Sequence, residues 1–218
     1  MSVLYIICEG QTEEEYVNNT LAHYFRDQGI ANTIPILLET SPGFYGGDIS
    51  FARYSTHINN YLTDPGNFIV TSLIDYYRIK NDFPNFAAAI AMPAEQGVAN
   101  IEAGLSAAIP DPRFIPYIQL HEFEGLLFTE ITGFDYIHNL SAASRTAIEG
   151  IIATYPNPEL INNGPLTAPS VRLKSLIYRY KKTLHGPIIA LGNDFGNVLA
   201  KCPRFRAWTR AIIAKANS

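Results

Sequence analysis

The N-terminal segment constrains the fold more than any other part of the chain. Residues 3–8 form a short apolar run rich in β-branched and aromatic side chains, which is typical of a buried strand. Gly10 breaks the run, and Thr12 with Glu15 forms a capping-box pattern that predicts the start of a helix. A buried strand that leads straight into a helix indicates an open α/β sheet, in which ligands bind at the carboxyl ends of the strands.

Strands and helices alternate along the first part of the chain. Apolar runs predict three further strands, over residues 33–38, 68–74 and 114–120. Pro116 interrupts the last run and favours an edge or bulged position for it. Helices are predicted from Asp48 to about Leu62 and from Ala99 to Ala108. The alternation predicts a mostly parallel, Rossmann-like four-stranded sheet flanked by helices, followed by a C-terminal helical extension.

Acidic residues follow three of the predicted strands. Glu9, Asp75 and Glu122 stand at their carboxyl ends, and parallel strands place those ends on one edge of the sheet. Carboxylates that crowd together repel one another unless a cation joins them. Mg²⁺ and Mn²⁺ prefer carboxylate and water oxygens, so we predict a site for one of these ions. Glu124 is a second candidate ligand beside Glu122.

The same acids have a structural interpretation. Acidic side chains in a first helical turn favour the positive end of the helix dipole, which accounts for residues 13–15 but not for Glu9 on the strand side. Asp75 alone would be an ordinary loop cap. The run at residues 121–125 is similar to a zinc-protease helix, but a glycine stands where that motif needs its second histidine, so we reject zinc. His121 is either structural or catalytic.

The C-terminal part of the chain is basic. Residues 1–159 contain 6 Lys and Arg against 19 Asp and Glu, whereas residues 160–218 contain 10 against a single acid, Asp194. Such an asymmetry indicates an anionic partner, although the two halves can also neutralise each other. A basic helix is predicted over residues 170–186, and we expect its cations to contact nucleic-acid phosphates. The candidate nucleic-acid-binding residues are Arg172, Lys174, Lys181, Lys182, His185 and Arg204.

Composition bounds the architecture and the compartment. We predict an α/β core over residues 1–135 and a basic helical region over residues 136–218 packed on it. No apolar run approaches the roughly 18 residues that span a bilayer, and the N-terminus lacks a basic signal-peptide start. The chain is therefore expected to be soluble and cytoplasmic, with no membrane partner. Cys8 and Cys202 are too few for a disulfide framework or a zinc site, and we expect both to be reduced core residues.

Several motifs together resemble those of TOPRIM-like proteins, namely Glu9-Gly-Gln-Thr-Glu13, Leu73-Ile-Asp75-Tyr-Tyr77 and the run from His121 to Phe128. The first motif reproduces the EGxxE pattern of the overcoming-lysogenization nuclease group. More narrowly, the chain resembles a small bacterial family of unknown function whose genes lie beside those of ABC-type ATPases in phage-defence loci. This narrower resemblance extends to residues 167–170, 172–173, 185–186 and 202–208.

The resemblance implies a Mg²⁺- or Mn²⁺-dependent nuclease that cuts phosphodiesters in DNA or RNA, with an ABC-type ATPase as partner. Glu9 matches the first TOPRIM glutamate, and Asp75 matches the first acid of the Asp-x-Asp pair. Tyr77 stands where the second acid is expected, so that ligand is either missing or supplied by Glu122 or Glu13. Glu13 is the implied second ligand or base, which makes Glu9, Glu13 and Asp75 the implied catalytic residues.

Two other functions stay open at this point. The missing second acid favours a non-catalytic adaptor or sensor that docks on the ATPase and need not bind a metal. A phosphotransferase or phosphohydrolase acting on small phosphates is the third possibility. It would act on nucleotides without the steep salt dependence that is expected for a polyanionic substrate.

Overall fold

The computed structural model describes residues 2–41, 44–45, 49–162 and 164–218. The chain divides into two compact units, the first made of residues 1–120 and 208–218 and the second of residues 121–207. The predicted domain boundary after residue 135 therefore lies inside the second unit. None of the helices formed by the described residues has the length and apolar character needed to cross a membrane.

The first unit is built on a parallel sheet. Its strands, in chain order, are β1 (Val3–Cys8), β2 (Asn32–Leu37), β3 (Glu39–Ser41), β4 (Phe44–Tyr45), β5 (Phe68–Asp75), β6 (Phe114–Ile115) and β7 (Ile118–Gln119). The order in the sheet is β2-β1-β5-β6, with β7 also paired to β5, and these pairs are all parallel. β3 and β4 form a separate antiparallel pair. The predicted α/β fold with a mostly parallel sheet is confirmed.

Helices flank the sheet in the first unit. They are α1 (Gln11–Tyr16), α2 (Ala22–Asp27), α3 (Phe51–Leu62), α4 (Phe86–Ala89) and α5 (Ala94–Ala108). A π-helical segment joins α1 to α2. All eight residues of β5 are buried, as expected for a parallel strand covered on both faces. Asp48, which was predicted to start α3, lies outside the described residues, and α5 begins earlier than its predicted start at Ala99.

The start of α1 differs from the predicted capping box. Gly10 is the N-cap residue in an extended conformation, and no side chain caps the helix there. Thr12 lies inside the first turn, where it is buried and its Oγ1 finds no hydrogen-bond partner among the described residues. The capping-box prediction is wrong because the helix begins directly after Gly10, before Thr12 can act as a cap. Glu13 lies in the first turn, as predicted.

The fourth predicted strand is divided at Pro116. Proline has no N–H for a strand ladder, so β6 and β7 pair with β5 separately. Hydroxyl groups of β5 bind the carbonyl groups on either side of the break. Thr71 Oγ1 donates to Ile115 O at 2.6 Å, and Ser72 Oγ donates to Tyr117 O at 2.7 Å. The predicted interruption of this strand is confirmed.

The last residues of the chain belong to the core of the first unit. The Trp208 ring stacks on Tyr117 with ring centroids 4.6 Å apart, and its Nε1 donates to Thr71 Oγ1 at 2.8 Å. The hydroxyl of Thr71 thereby links the indole to the carbonyl group of Ile115. One buried threonine thus connects the C-terminal segment to two strands of the sheet.

The second unit is helical. Its helices are α6 (Ala142–Thr154), α7 (Pro169–Leu176), α8 (Lys182–Gly192), α9 (Phe195–Lys201) and the start of α10 (Pro203–Ala216). Segments of 3₁₀-helix cover Phe123–Phe128, Ile131–Tyr136 and Pro158–Leu160. The division after residue 207 falls within α10. Cys202 is a buried free cysteine, as is Cys8 in the first unit, in line with the prediction for both.

The single basic helix predicted over residues 170–186 is wrong. Two helices, α7 and α8, occupy this stretch, with residues 177–181 between them. Ile177 leaves α7 in an extended conformation and buries its side chain. Arg179 then adopts a positive φ of 54°. Burial of an apolar side chain beyond the helix therefore outweighs the helical propensity of the neighbouring residues.

Candidate functional site

Glu9 occupies the carboxyl edge of the sheet, directly after β1. Its carboxylate is buried, and Oε2 accepts a hydrogen bond from the backbone N–H of Asp75, the last residue of β5, at 3.2 Å. Oε1 lies 3.5 Å from Nε of Arg78, whose side chain is 43% exposed. The neighbouring strand and the turn that follows it therefore both orient Glu9. Sequence reasoning correctly brought Glu9 and Asp75 to the same edge.

Glu13 is buried at the same turn between β1 and α1. A side chain on Gly10 would place its Cβ 3.2 Å from Glu13 Oε2, so the absence of a side chain at Gly10 leaves room for this carboxylate. The pKa of the Cys8 thiol is raised by its burial and then by the negative charges of Glu13 and Glu14. The Glu13 carboxylate therefore acts electrostatically on the end of β1.

The donor set at this edge suits a hard divalent cation. Glu9, Glu13 and Asp75 are all buried and supply carboxylate oxygens, which Mg²⁺ and Mn²⁺ prefer. Among the described residues, no three His, Cys, Asp or Glu side chains are arranged to hold one metal ion. Mg²⁺ is commonly held by only one or two carboxylates together with water and substrate phosphates. A Mg²⁺ site at this edge would therefore use at most two of these carboxylates, and it stays a prediction.

Glu122 lies in the second unit and caps a helix there. Its Oε2 accepts the N–H of Ser170 at 2.9 Å, and its Oε1 accepts the hydroxyl of Ser170 at 3.0 Å. Ser170 is in the first turn of α7, where backbone N–H groups lack intrahelical partners. A carboxylate at this end also favours the helix dipole. The contacts give Glu122 a structural role, and its role as a metal ligand stays a prediction.

Glu124 also has a partner within the second unit. Its Oε1 lies 3.2 Å from Nζ of Lys182, and the Glu124 side chain is almost fully buried. This ion pair joins the 3₁₀ segment at residues 123–128 to the start of α8. It engages one predicted metal ligand and one predicted phosphate-binding residue at the same time, and both roles stay predictions.

Two further carboxylates cap helices in the second unit, and sequence reasoning missed them. Buried Glu159 accepts the N–H groups of Arg204 and Phe205, at 2.9 and 3.1 Å, at the start of α10. Glu130 accepts the N–H of Asp194 just before α9, together with a side-chain amide of that helix at 2.9 Å. These partners are far apart in the chain, so local sequence carries no signal for the pairing.

The predicted nucleic-acid-binding cations differ in how far internal contacts occupy them. Arg172 is half-buried, and its Nε donates to Thr167 O at 2.6 Å. His185 accepts the N–H of Lys181 through Nδ1 at 2.9 Å. The side chains of Lys174 and Lys181 are exposed. The exposed pair is accessible to solvent and its phosphate contacts stay a prediction, whereas Arg172 binds the backbone of Thr167.

The charge asymmetry of the sequence is much smaller in the folded units. The first unit holds 7 Lys and Arg against 13 Asp and Glu, and the second holds 9 against 7. The acids of residues 121–159 belong to the same unit as most of the C-terminal cations. Much of the neutralisation that was expected between the two halves therefore occurs within the second unit.

Comparison with known families gives an assignment for almost the entire chain. The family model described as a domain of unknown function, DUF4276, matches residues 8–213. The chain belongs to the DUF4276 family. The match includes the carboxyl edge with Glu9 and Asp75 as well as the whole second unit, so the predicted membership of a family of unknown function is confirmed.

Among solved structures, this DUF4276 chain is similar to the C-terminal region of the Burkholderia pseudomallei OLD protein. The two share 16% sequence identity, the alignment covers 98% of this chain and 96% of that chain, and the TM-score is 0.44. No curated protein matches the DUF4276 chain at a significant level.

Proposed function

We propose that the protein is a Mg²⁺-dependent hydrolase of nucleic-acid phosphodiesters that acts at the carboxyl edge of its parallel sheet. The observation that carries the proposal is the contact of Glu9 with the end of β5, through the backbone N–H of Asp75, and with Arg78. Glu13 is buried at the adjacent turn. The sequence resemblance of these residues to TOPRIM-like nucleases supports the same reaction.

Each residue at the edge has a role in this mechanism. Glu9 and Asp75 would hold Mg²⁺, which supplies charge stabilisation at the phosphate and an acidified water when it is bound. The backbone N–H of Asp75 fixes the orientation of Glu9. The half-exposed guanidinium of Arg78 is available to a phosphate oxygen. Oε2 of Glu13, which lies over Gly10, is the candidate acceptor for the proton of the attacking water.

Substitution of Glu9 tests the proposal. Glu9→Gln keeps the size of the side chain but removes its charge, so we expect Mg²⁺- or Mn²⁺-dependent nicking of supercoiled plasmid to fall by at least about 100-fold. Glu15→Gln is the matched control, because Glu15 is exposed on α1, the helix that follows Glu9. Circular dichroism and urea unfolding would verify that both variants are folded. Nicking that is unchanged in Glu9→Gln would contradict a hydrolytic role for this edge.

A binding module without catalysis is the second candidate function. Both oxygens of Glu9 already have protein contacts, and Tyr77, at the position of the second TOPRIM acid, is 54% exposed. Calorimetric titration with Mn²⁺ separates the two candidates. Binding by the wild type that Glu9→Gln abolishes supports the hydrolase, whereas no binding by the wild type supports an adaptor. An ABC-type ATPase partner and a role in phage defence belong to either proposal and derive from the sequence resemblance.

A further inference from the structure

We propose that the loop between α7 and α8, residues 177–181, is a stacking platform for an unpaired base of a single-stranded nucleic acid. Tyr178 is the side chain on which the base stacks. The six predicted nucleic-acid-binding residues do not include Tyr178 or its neighbour Arg179. The inference rests on the proposed function for its substrate class, and it adds that the substrate is bound as a single strand.

Tyr178 is displayed at the surface of the second unit. Its side chain is 79% exposed, although a large aromatic ring gains free energy from burial. The Arg179 guanidinium lies 5.1 Å from the centre of the ring, so a cation accompanies the aromatic surface. An exposed ring beside a guanidinium combines a stacking surface with a phosphate contact, which is how proteins bind single strands without reading their sequence.

The loop that presents Tyr178 is anchored by its neighbouring residues on both sides. Ile177 is buried on one side of it, and the Tyr180 ring packs on His185 with ring centroids 5.5 Å apart. His185 Nδ1 also accepts the N–H of Lys181 at 2.9 Å. Arg179 adopts a positive φ of 54°, which is strained for a residue other than glycine. Ile177 is buried and Tyr180 is partly buried, whereas Tyr178 and Arg179 between them are both exposed at the positive-φ turn.

The charge around the loop matches a polyanion. Residues 160–193 contain no Asp or Glu, and the exposed cations Lys174, Arg179 and Lys181 lie within three or four positions of Tyr178. Within the described residues, none of these three cations forms an ion pair, whereas Lys182 is held by Glu124. A second exposed tyrosine, Tyr136, lacks this setting because it follows Asp135, which pairs with Arg145. Exposure and positive charge therefore coincide at Tyr178.

Binding to oligonucleotides tests the platform independently of hydrolysis. Fluorescence anisotropy of labelled oligothymidylate and oligouridylate of about 12 nucleotides would be followed with the full-length protein in EDTA, without divalent cations. We expect Tyr178→Ala to weaken binding by about 5- to 100-fold and Tyr178→Phe to retain it, because phenylalanine keeps the stacking face. Tyr178→Ala is expected to weaken the binding of a labelled duplex of the same length much less, since the bases of a duplex are already stacked on one another.

Tyr136→Ala is the matched control. Tyr136 is 72% exposed in the same unit, and its substitution is expected to leave anisotropy unchanged. The platform is overturned if Tyr178→Ala binds the single strand as tightly as the wild type. It is also overturned if an acidic peptide such as oligoglutamate displaces the strand equally well from the wild type and from Tyr178→Ala. If the protein nicks plasmid but its binding to the single strand does not depend on Tyr178, the platform alone is overturned. Tyr178-dependent binding without any nicking would overturn the hydrolase alone.

Discussion

At the scale of single residues, Arg78 contacts the carboxylate that the proposed metal site would use. Its Nε lies 3.5 Å from Oε1 of Glu9, the residue that would hold the divalent ion in the proposed function. A guanidinium that contacts the carboxylate of a metal site competes with the metal for that carboxylate. Once the metal is bound, the guanidinium is available to a phosphate oxygen. In the proposed hydrolase, Arg78 would therefore link metal affinity to substrate contact.

Removing this competitor has an expected outcome. Arg78→Gln should lower the dissociation constant for Mn²⁺ several-fold in calorimetry, because Glu9 would no longer be engaged by a guanidinium. Arg26→Gln is the control, since it removes the same charge from an exposed position of the first unit. Equal shifts in both variants would mean that net charge, rather than the contact with Glu9, sets the affinity.

The hydroxyl of Thr71 connects β5 to β6 and to the C-terminal helix in the first unit. It donates to Ile115 O and accepts from Trp208 Nε1, and it is fully buried. Thr71→Val keeps the shape but removes the buried hydroxyl that contacts both partners, so we expect a loss of about 2 kcal/mol in the free energy of unfolding. Thr71→Ser should retain most of the stability. Urea unfolding measures both, and equal stability of the wild type and Thr71→Val would contradict this role.

His57 gives the fold a dependence on pH near neutrality. Partial burial is the main cause that lowers the pKa of His57, with a smaller contribution from Arg53 and an opposing one from Glu39. The folded state therefore binds the proton less readily than the unfolded chain. The free energy of unfolding is therefore unaffected by protonation of His57 above the ordinary histidine pKa of about 6.5. It declines as the pH falls through that pKa, because the unfolded chain then binds the proton more readily.

The expected measurement is a comparison of urea midpoints at two pH values on either side of this range. Replacing His57 with Gln removes the titration, so the loss of stability on acidification should be smaller in His57→Gln than in the wild type. His23→Gln, at an exposed position, should lose as much stability on acidification as the wild type. If His57→Gln loses as much stability as the wild type, burial of this imidazole does not contribute.

Sequence reasoning was most successful where local pattern alone decides the outcome. Glu9 and Asp75 could be brought together because both end apolar runs, and runs of this kind are parallel strands with their ends on one edge. Glu122 looked equivalent, but its contacts are with Ser170, a residue 48 positions away. No pattern within a strand or a helix contains that pairing. The roles of Glu122 and Glu124 as ligands therefore stay predictions, next to structural contacts that only the fold reveals.

At the scale of elements, the second unit depends on a close approach between a 3₁₀ segment and a helix. A Cβ added to Gly192 in α8 would lie 2.9 Å from Gly133 Cα and 2.9 Å from Tyr136 Cδ2. Backbone atoms at such a distance cannot move aside without shifting the whole element. The segment at residues 131–136 and the end of α8 are therefore close because both carry a glycine at the contact.

This contact predicts opposite effects for two glycine substitutions. Gly192→Ala should destabilise the protein by about 1–3 kcal/mol through overpacking. Gly150→Ala, in the exposed interior of α6 with nothing within 4 Å of the added Cβ, should stabilise it by about 0.5–1 kcal/mol. Thermal unfolding of both variants gives the two signs. A neutral Gly192→Ala would mean that the two elements separate at no cost.

The division of the basic stretch into two helices shows where element prediction reaches its limit. Residues 170–186 carry helix-forming side chains on both sides of Ile177, and their charges follow no period that marks a break. The break arises because Ile177 is buried outside the helix, which is a tertiary effect. The same break creates the outward loop at Tyr178, so the feature that sequence reasoning missed is the one that carries the proposed platform.

At the scale of the whole molecule, charge is distributed by folded unit and not by position in the sequence. The unit that contains the sheet is acidic, with 13 acids to 7 cations, and the helical unit is weakly basic, with 9 cations to 7 acids. A chain of this kind does not attract a polyanion over its entire surface. The proposed binding of a single strand therefore depends on a local group of exposed cations, namely Lys174, Arg179 and Lys181.

The small size of this group predicts a shallow salt dependence. Three phosphate contacts to a single strand give a slope of about −2 in a plot of log K against log salt concentration. Anisotropy with the labelled oligothymidylate across a range of NaCl concentrations measures the slope, and Lys181→Gln should reduce its magnitude by about 0.7. A slope several-fold steeper would show that many more cations contact the strand.

The unit that contains the sheet is assembled from two stretches of chain that the whole of the other unit separates. Trp208, which stacks on Tyr117 and binds Thr71, leaves the ribosome only after residues 121–207 have been synthesised. During translation the helical unit is therefore available in full while the sheet still lacks its last buried aromatic ring. The packing around Thr71 in the middle of the sheet is therefore completed only after the helical unit has been synthesised.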